Sequence, residues 1–239
     1  PGKGPAVGET EEKAPFGITA EDRSWWAWKK IAKPVVPAVK NRSWVKNPID
    51  AFILSKLEKQ GLSPAPPASK ETLARRAYFN LIGLPPTPAE VKAFQDDKSP
   101  DAWENLIDRL LESRHYGEKL ARHWLDLVRF AETHGYERDN NKAHAWRYRD
   151  YVIKSFNEDK PYDRFVMEQI AGDELDNVDA DSISATGFYR LGIWNDEPAD
   201  RLLAKYDVLD GVLSTTTQVV MGMTVGCARC HDHKKDPIP

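Results

Sequence analysis

The chain has 239 residues, 41% of them hydrophobic and 30% charged, with a net charge of −3 at pH 7. That is long enough to bury a core without disulfide staples, and the charge balance argues against a nucleic-acid footprint. No apolar run approaches the ~18 residues a membrane helix needs, and no secretory signal is visible.

Residues 1–47 are rich in proline, glycine and lysine and show little periodicity, which predicts an extended arm. Within it, Trp25, Trp26 and Trp28 fall in four residues. Exposed indoles are costly, so they are expected to anchor the arm onto the body. A contact surface for a partner or a cofactor edge is the alternative.

From residue 48 to 239 the pattern is that of one helical domain. Asn47 is a good N-cap and Pro48 suits the first helical position. Ile49, Phe52, Ile53 and Leu57 follow at helical spacing until Gly61. Ser69 caps a second helix with Leu73, Ala77, Tyr78 and Leu81, stopped by Gly83. Thr87 and Glu90 make a capping box for a short helix. Ser99-Pro100 opens the next, with Trp103, Leu106, Ile107, Leu110 and Leu111 on one face.

The segment Tyr116 to His134 predicts a helix whose apolar face holds Leu120, Trp124, Leu127, Val128 and Ala131. His123 and His134 fall on that face. A helix from about Ala145 follows, and Pro161 starts another that closes at Gly172. The acidic run Asp173 to Ser182 lacks the glycine and glutamate of an EF-hand loop and predicts a solvated loop. A last long helix runs from about Ala199 toward Met223, with Leu202, Tyr206, Leu209, Leu213, Thr216, Val220 and Met223 spaced by three and four. No alternating strands and no repeats are visible, so the fold is expected to be mostly α.

The last helix leads into Cys227-Ala228-Arg229-Cys230-His231, which holds both cysteines of the chain. The spacing is that of a c-type haem attachment site. Each thiol adds to one porphyrin vinyl group and forms a thioether, and the next residue, His231, supplies the proximal imidazole. Chance would produce this arrangement from two cysteines on the order of once in 5,000 chains. Three other readings compete. A redox Cys-x-x-Cys expects a strand-helix setting. Structural zinc would use both cysteines with His231 and His233, but expects four ligands in two separated pairs. A disulfide across so small a loop would be strained and would not need His231.

His233 is too close to His231 to reach the opposite side of the same iron, and is expected to bond a propionate or a backbone group. A distal ligand must come from upstream. His123 is the first candidate because it is mid-helix on an apolar face, and His134 is the alternative. Arg147 and Arg149 are expected to form surface ion pairs, with haem propionates as the other option.

These residues resemble a known family, the second planctomycete-type cytochrome c-like domain of large secreted proteins. The similar stretches are Asn47 to Ile53, Leu81 to Pro88, Arg122 to Asp126, Ala145 to Tyr151, Asp159 to Phe165 and Thr224 to Lys234. Lys235 departs from the aromatic residue usual there. The resemblance implies an extracytoplasmic, periplasmic or extracellular, module carrying haem c. It also implies that export signals lie upstream or were removed and that further sequence follows.

Electron transfer through one covalent haem, with a redox partner protein or neighbouring haem domain, is the leading functional expectation. A peroxidase- or oxidase-like haem enzyme with an open distal site is the alternative, with His134, Glu132 and Arg138 as its acid-base candidates. A metal-stapled interaction module is the third. Oligomeric state is not legible.

Overall fold

The computed structural model describes residues 20–234 and 238. The early part of the arm, and residues 235–237 and 239, lie outside the described residues, and Lys235 with them. The chain divides into two compact units, one formed by the residues up to Pro66 and one by those from Pro67.

The first unit holds α1 (Ala20–Ser24), 3-10 turns at Trp26–Trp28 and Arg42–Trp44, and α2 (Pro48–Lys59). The predicted start of α2 is present in full. The Asn47 side chain accepts from the Asp50 N–H, and Asp50 accepts from the Asn47 N–H, each at 3.1 Å. Gly61 ends it at φ +66°, where a side chain would be strained. The Glu58 carboxylate accepts from the backbone N–H groups of Lys40 and Asn41 at 3.0 and 3.1 Å, tying the arm to α2. The expected tryptophan anchor is not found: Trp25, Trp26 and Trp28 are 58%, 74% and 49% exposed.

The second unit contains two hydrophobic clusters. The first is built by α3 (Lys70–Leu81), α4 (Pro88–Asp96) and α5 (Ala102–Leu111), which bury Ala74, Ala77, Tyr78, Phe94, Leu106 and Leu110. Ser69 caps α3 and the Thr87–Glu90 capping box starts α4, as the sequence predicts.

The second cluster is aromatic and polar together. It is formed by α6 (Arg114–Leu127), α7 (Ala145–Asn157), α8 (Tyr162–Ala171), α9 (Ala180–Ala185) and a 3-10 turn at Thr186–Arg190. Gly117 sits inside α6. A Cβ there would lie 2.4 Å from the Ile153 carbonyl oxygen, so glycine is what lets α6 and α7 approach. The Trp124 indole, 4.9 Å from the Phe165 ring, donates to Tyr148 Oη and Gln169 Oε1 at 3.1 and 3.0 Å. Buried Glu168 accepts from Tyr151 Oη at 2.9 Å, Arg164 Nε at 2.7 Å and Lys160 Nζ at 2.5 Å. Among the described residues every buried side-chain nitrogen and oxygen thus has a partner, which burial demands.

Among the described residues there is one isolated β-bridge, Thr133 to Asn141, and no strand, so the fold is mostly α as expected. The next two features differ from the sequence reading. Helix α6 stops at Leu127 instead of reaching His134. Asp179 in the acidic run caps α9 through a reciprocal pair with Ser182, so part of that run is helix, not loop. The last helix, α10 (Arg201–Thr216), passes into a π-helical turn at Thr217–Met221 and ends at Gly222, φ +67°.

Burial works to raise the Glu168 carboxyl, but the bonds from Lys160, Arg164 and Tyr151 outweigh it and hold the group below the usual glutamate range. A depressed folded-state value stabilises the fold above the ordinary glutamate pKa of about 4.3. That contribution is lost as pH falls through the lower folded value. Glu168→Gln is expected to cost about 3 kcal/mol at pH 7, because it strands Lys160 and Arg164. Urea denaturation should show the gap from wild type narrowing at pH 3.

Candidate functional site

The site is assembled by α10 and the turn after it. Helix α6 ends because Arg129 turns left-handed, φ +60°, and the Phe130 N–H closes back on the Leu125 carbonyl at 2.9 Å. From there the Arg129 guanidinium donates to the Gly211 carbonyl of α10 at 2.9 Å. A Cβ at Gly211 would meet that guanidinium at 3.3 Å, so the two groups pack closely.

Docked this way, α10 turns small and polar positions inward. Thr215 and Thr217 are buried, and their hydroxyls donate to carbonyls four residues back at 2.9 Å each. Such back-bonding loosens a helix, and the π-helical turn begins at Thr217. Leu202, Tyr206, Leu209 and Leu213 face outward, at 64%, 59%, 50% and 53% exposure. The stripe read from the sequence is real, but it is not a core stripe.

After Gly222 the chain enters a 3-10 turn at Val225–Arg229 that carries the cysteine motif. The Cys227 N–H donates to the Thr224 carbonyl at 3.2 Å. Gly226 allows a close approach to α10, since a Cβ there would fall 2.8 Å from Ser214 Oγ. Arg229, inside the motif, donates to Asp207 at 2.6 Å and Asp210 at 3.2 Å. Together Arg229, Asp210, Tyr206, Leu209 and Leu213 line an open depression of ≈ 420 Å³.

Cys227 and Cys230 are exposed and form no disulfide. His231 is exposed too, and its Nδ1 lies 2.8 Å from the Asp232 carbonyl oxygen. A carbonyl only accepts, so Nδ1 carries the hydrogen, and in the neutral ring Nε2 keeps the lone pair. That is the tautomer an Nε2 metal ligand needs, with its other nitrogen oriented by a backbone oxygen. His233 Nε2 is 2.8 Å from Thr224 Oγ1.

The upstream histidines are placed differently from the sequence expectation. His123 is exposed, on the polar side of α6, with Nε2 3.3 Å from Lys119 Nζ. The hydrophobic periodicity had put it at the edge of a buried face, but that face turns toward Ala121, Trp124 and Val128. His134 is not on α6 at all. It lies in the loop beyond Arg129, 3.2 Å from Asp196, and that contact holds the Asp196 carboxyl below its usual range. His115 pairs with Glu118, and exposed His144 precedes α7.

The enzyme candidates are taken up elsewhere: Glu132 bonds Arg149 at 2.9 Å and Arg138 bonds Glu197 at 2.6 Å. Arg149 is an ion-pair residue, as expected, while Arg147 stacks on Trp146. Among the described residues no three His, Cys, Asp or Glu side chains converge as a metal site. Missed from the sequence were Arg129, Asp207 and Asp210. The two aspartates, three apart on α10 and beside a motif containing arginine, were the legible signal.

Residues 48–239 match the family model PSCyt2, described as a protein of unknown function (DUF1549). The chain belongs to that family. Neither the curated proteins nor the solved structures contain a match to it. The PSCyt2 match spans α2 through the cysteine turn, so the motif and the helix that holds it are both inside the family region.

Arg129 has two separable roles in this PSCyt2 chain. Arg129→Ala removes the clamp but keeps a Cβ in left-handed backbone, whereas Arg129→Gly removes the clamp and the strain together. Urea denaturation should find the glycine variant more stable than the alanine variant by about 1 kcal/mol. Hydrogen exchange should quicken in α10 in both variants while the α3–α5 cluster is unchanged.

Proposed function

We propose that this PSCyt2 chain is an extracytoplasmic c-type cytochrome domain that carries one covalently attached haem and transfers single electrons. The observation that carries the reading is the turn at Val225–Arg229 with His231 beside it: two free exposed thiols, and an imidazole with its Nε2 lone pair available. The fit extends to the surroundings, because Tyr206, Leu209 and Leu213 offer an apolar wall beside the turn.

In this role Cys227 and Cys230 hold the group through thioethers and His231 is the proximal ligand. Asp232 fixes the His231 ring through its carbonyl, and Arg229, pinned by Asp207 and Asp210, keeps the turn in register with α10. Bound haem supplies a one-electron ferrous–ferric couple. Electrons would pass to a redox protein or a neighbouring haem domain, and periplasmic or extracellular placement follows from where bacteria attach haem c. An axial imidazole from His123 or His134 would require either residue to leave its present partner. Electron transfer is favoured over catalysis because Glu132 and Arg138 are each committed to an ion pair and His134 to a contact with Asp196.

The test is the intact mass of the denatured chain, exported in a bacterium competent for cytochrome c maturation. One haem should remain per chain, and Cys227→Ala with Cys230→Ala should abolish retention. His231→Ala should change the axial spectrum while leaving an attached haem in place. An unmodified chain whose two thiols both alkylate would contradict the proposal. Bound zinc in their place would favour the interaction module instead.

A further inference from the structure

Arg23–Lys40 is the most unusual surface of the chain outside the cysteine turn. Whereas the whole chain carries −3, this stretch has the cations Arg23, Lys29, Lys30, Lys33 and Lys40 and no carboxylate. It also exposes its apolar residues. Trp25, Trp26 and Trp28 sit in and before one 3-10 turn, with the Trp28 N–H on the Trp25 carbonyl at 3.1 Å. Ile31 is 96% exposed and Val35 91% exposed. Lys29, Lys30 and Lys33 are exposed among them. Pro34 and Pro37 favour extended backbone. At its far end the stretch is moored to α2, where Glu58 holds the N–H groups of Lys40 and Asn41.

We propose that Arg23–Lys40 is a docking strip for an anionic lipid bilayer surface. Charge complementarity supplies the attraction, since lysines near such a surface are drawn to its headgroups. Indoles are suited to the headgroup level, where one edge is wet and the rest is apolar. The aliphatic residues decide between a bilayer and an anionic polysaccharide. Indoles stack on sugar rings, but fully exposed Ile31 and Val35 gain nothing from a sugar and gain on entering the acyl boundary. Among the described residues no helix is long and apolar enough to cross a membrane, so the strip would lie on the surface. This inference does not depend on haem attachment.

The experiment is sedimentation of the full chain with vesicles of phosphatidylcholine alone, and with about one third phosphatidylglycerol. Binding should be confined to the anionic vesicles and should weaken with salt. Replacing Lys29, Lys30 and Lys33 by glutamine should weaken it roughly a hundredfold. Replacing the three tryptophans by alanine should weaken it even at low salt, and brominated lipid should quench tryptophan fluorescence only where they are present. Far-UV circular dichroism checks that the variants keep their helices. Equal binding to neutral vesicles, unaltered binding by the tryptophan variant, or binding to heparin without vesicle binding would each overturn the proposal.

Discussion

One arginine sets the geometry on which the functional end of the molecule depends. Arg129 stops α6 in left-handed backbone and spends its guanidinium on the Gly211 carbonyl of α10. Left-handed backbone costs a non-glycine residue roughly 1–2 kcal/mol, so the docking contact has to outweigh it. The consequences run in two directions. Upstream, the loop after Arg129 carries His134 away from the helix and toward Asp196. Downstream, α10 is held by its small and polar face, which leaves Leu202, Tyr206, Leu209 and Leu213 outside. A soluble helix normally buries such residues, and here they border the cysteine turn.

The helix starts were legible because each is a local event. Asn47, Ser69 and Thr87 have side chains that satisfy backbone N–H groups within the first turn, and that chemistry depends on no distant residue. Helix ends and buried faces were less legible because tertiary contacts decide them. The hydrophobic pattern continues past Leu127 to Ala131, but Arg129 breaks the helix for a contact 82 residues away. Similarly, the spacing of Leu202, Tyr206, Leu209 and Leu213 marks a stripe without saying whether it faces in or out. The polar core was invisible for the same reason. Glu168 and Gln169 read as surface residues until Lys160, Arg164, Tyr151, Trp124 and Tyr148 are brought around them. Burial pushes the Tyr148 and Tyr151 phenols up, so both stay neutral donors in that network.

The site itself divides along the same line. Its reactive residues sit within five positions of one another and were legible from spacing alone. Their support was not. Asp207 and Asp210 grip the motif through Arg229, Gly226 lets the turn close onto Ser214, and Asp232 sets the His231 tautomer. On the proposed reading, these contacts pre-order the turn before anything is attached to it. Exposure of both thiols and the ring would leave a haem edge near solvent, which suits electron exchange between proteins better than a reaction that must exclude water.

The account turns on whether the two thiols become thioethers. The most direct measurement is the reduced pyridine haemochrome spectrum of the exported, matured chain, normalised to protein. The account predicts one haem per chain with the α band of a porphyrin whose two vinyl groups are both saturated. Exported protein with no Soret absorption, or with the α band of a porphyrin that keeps its vinyl groups, would contradict it.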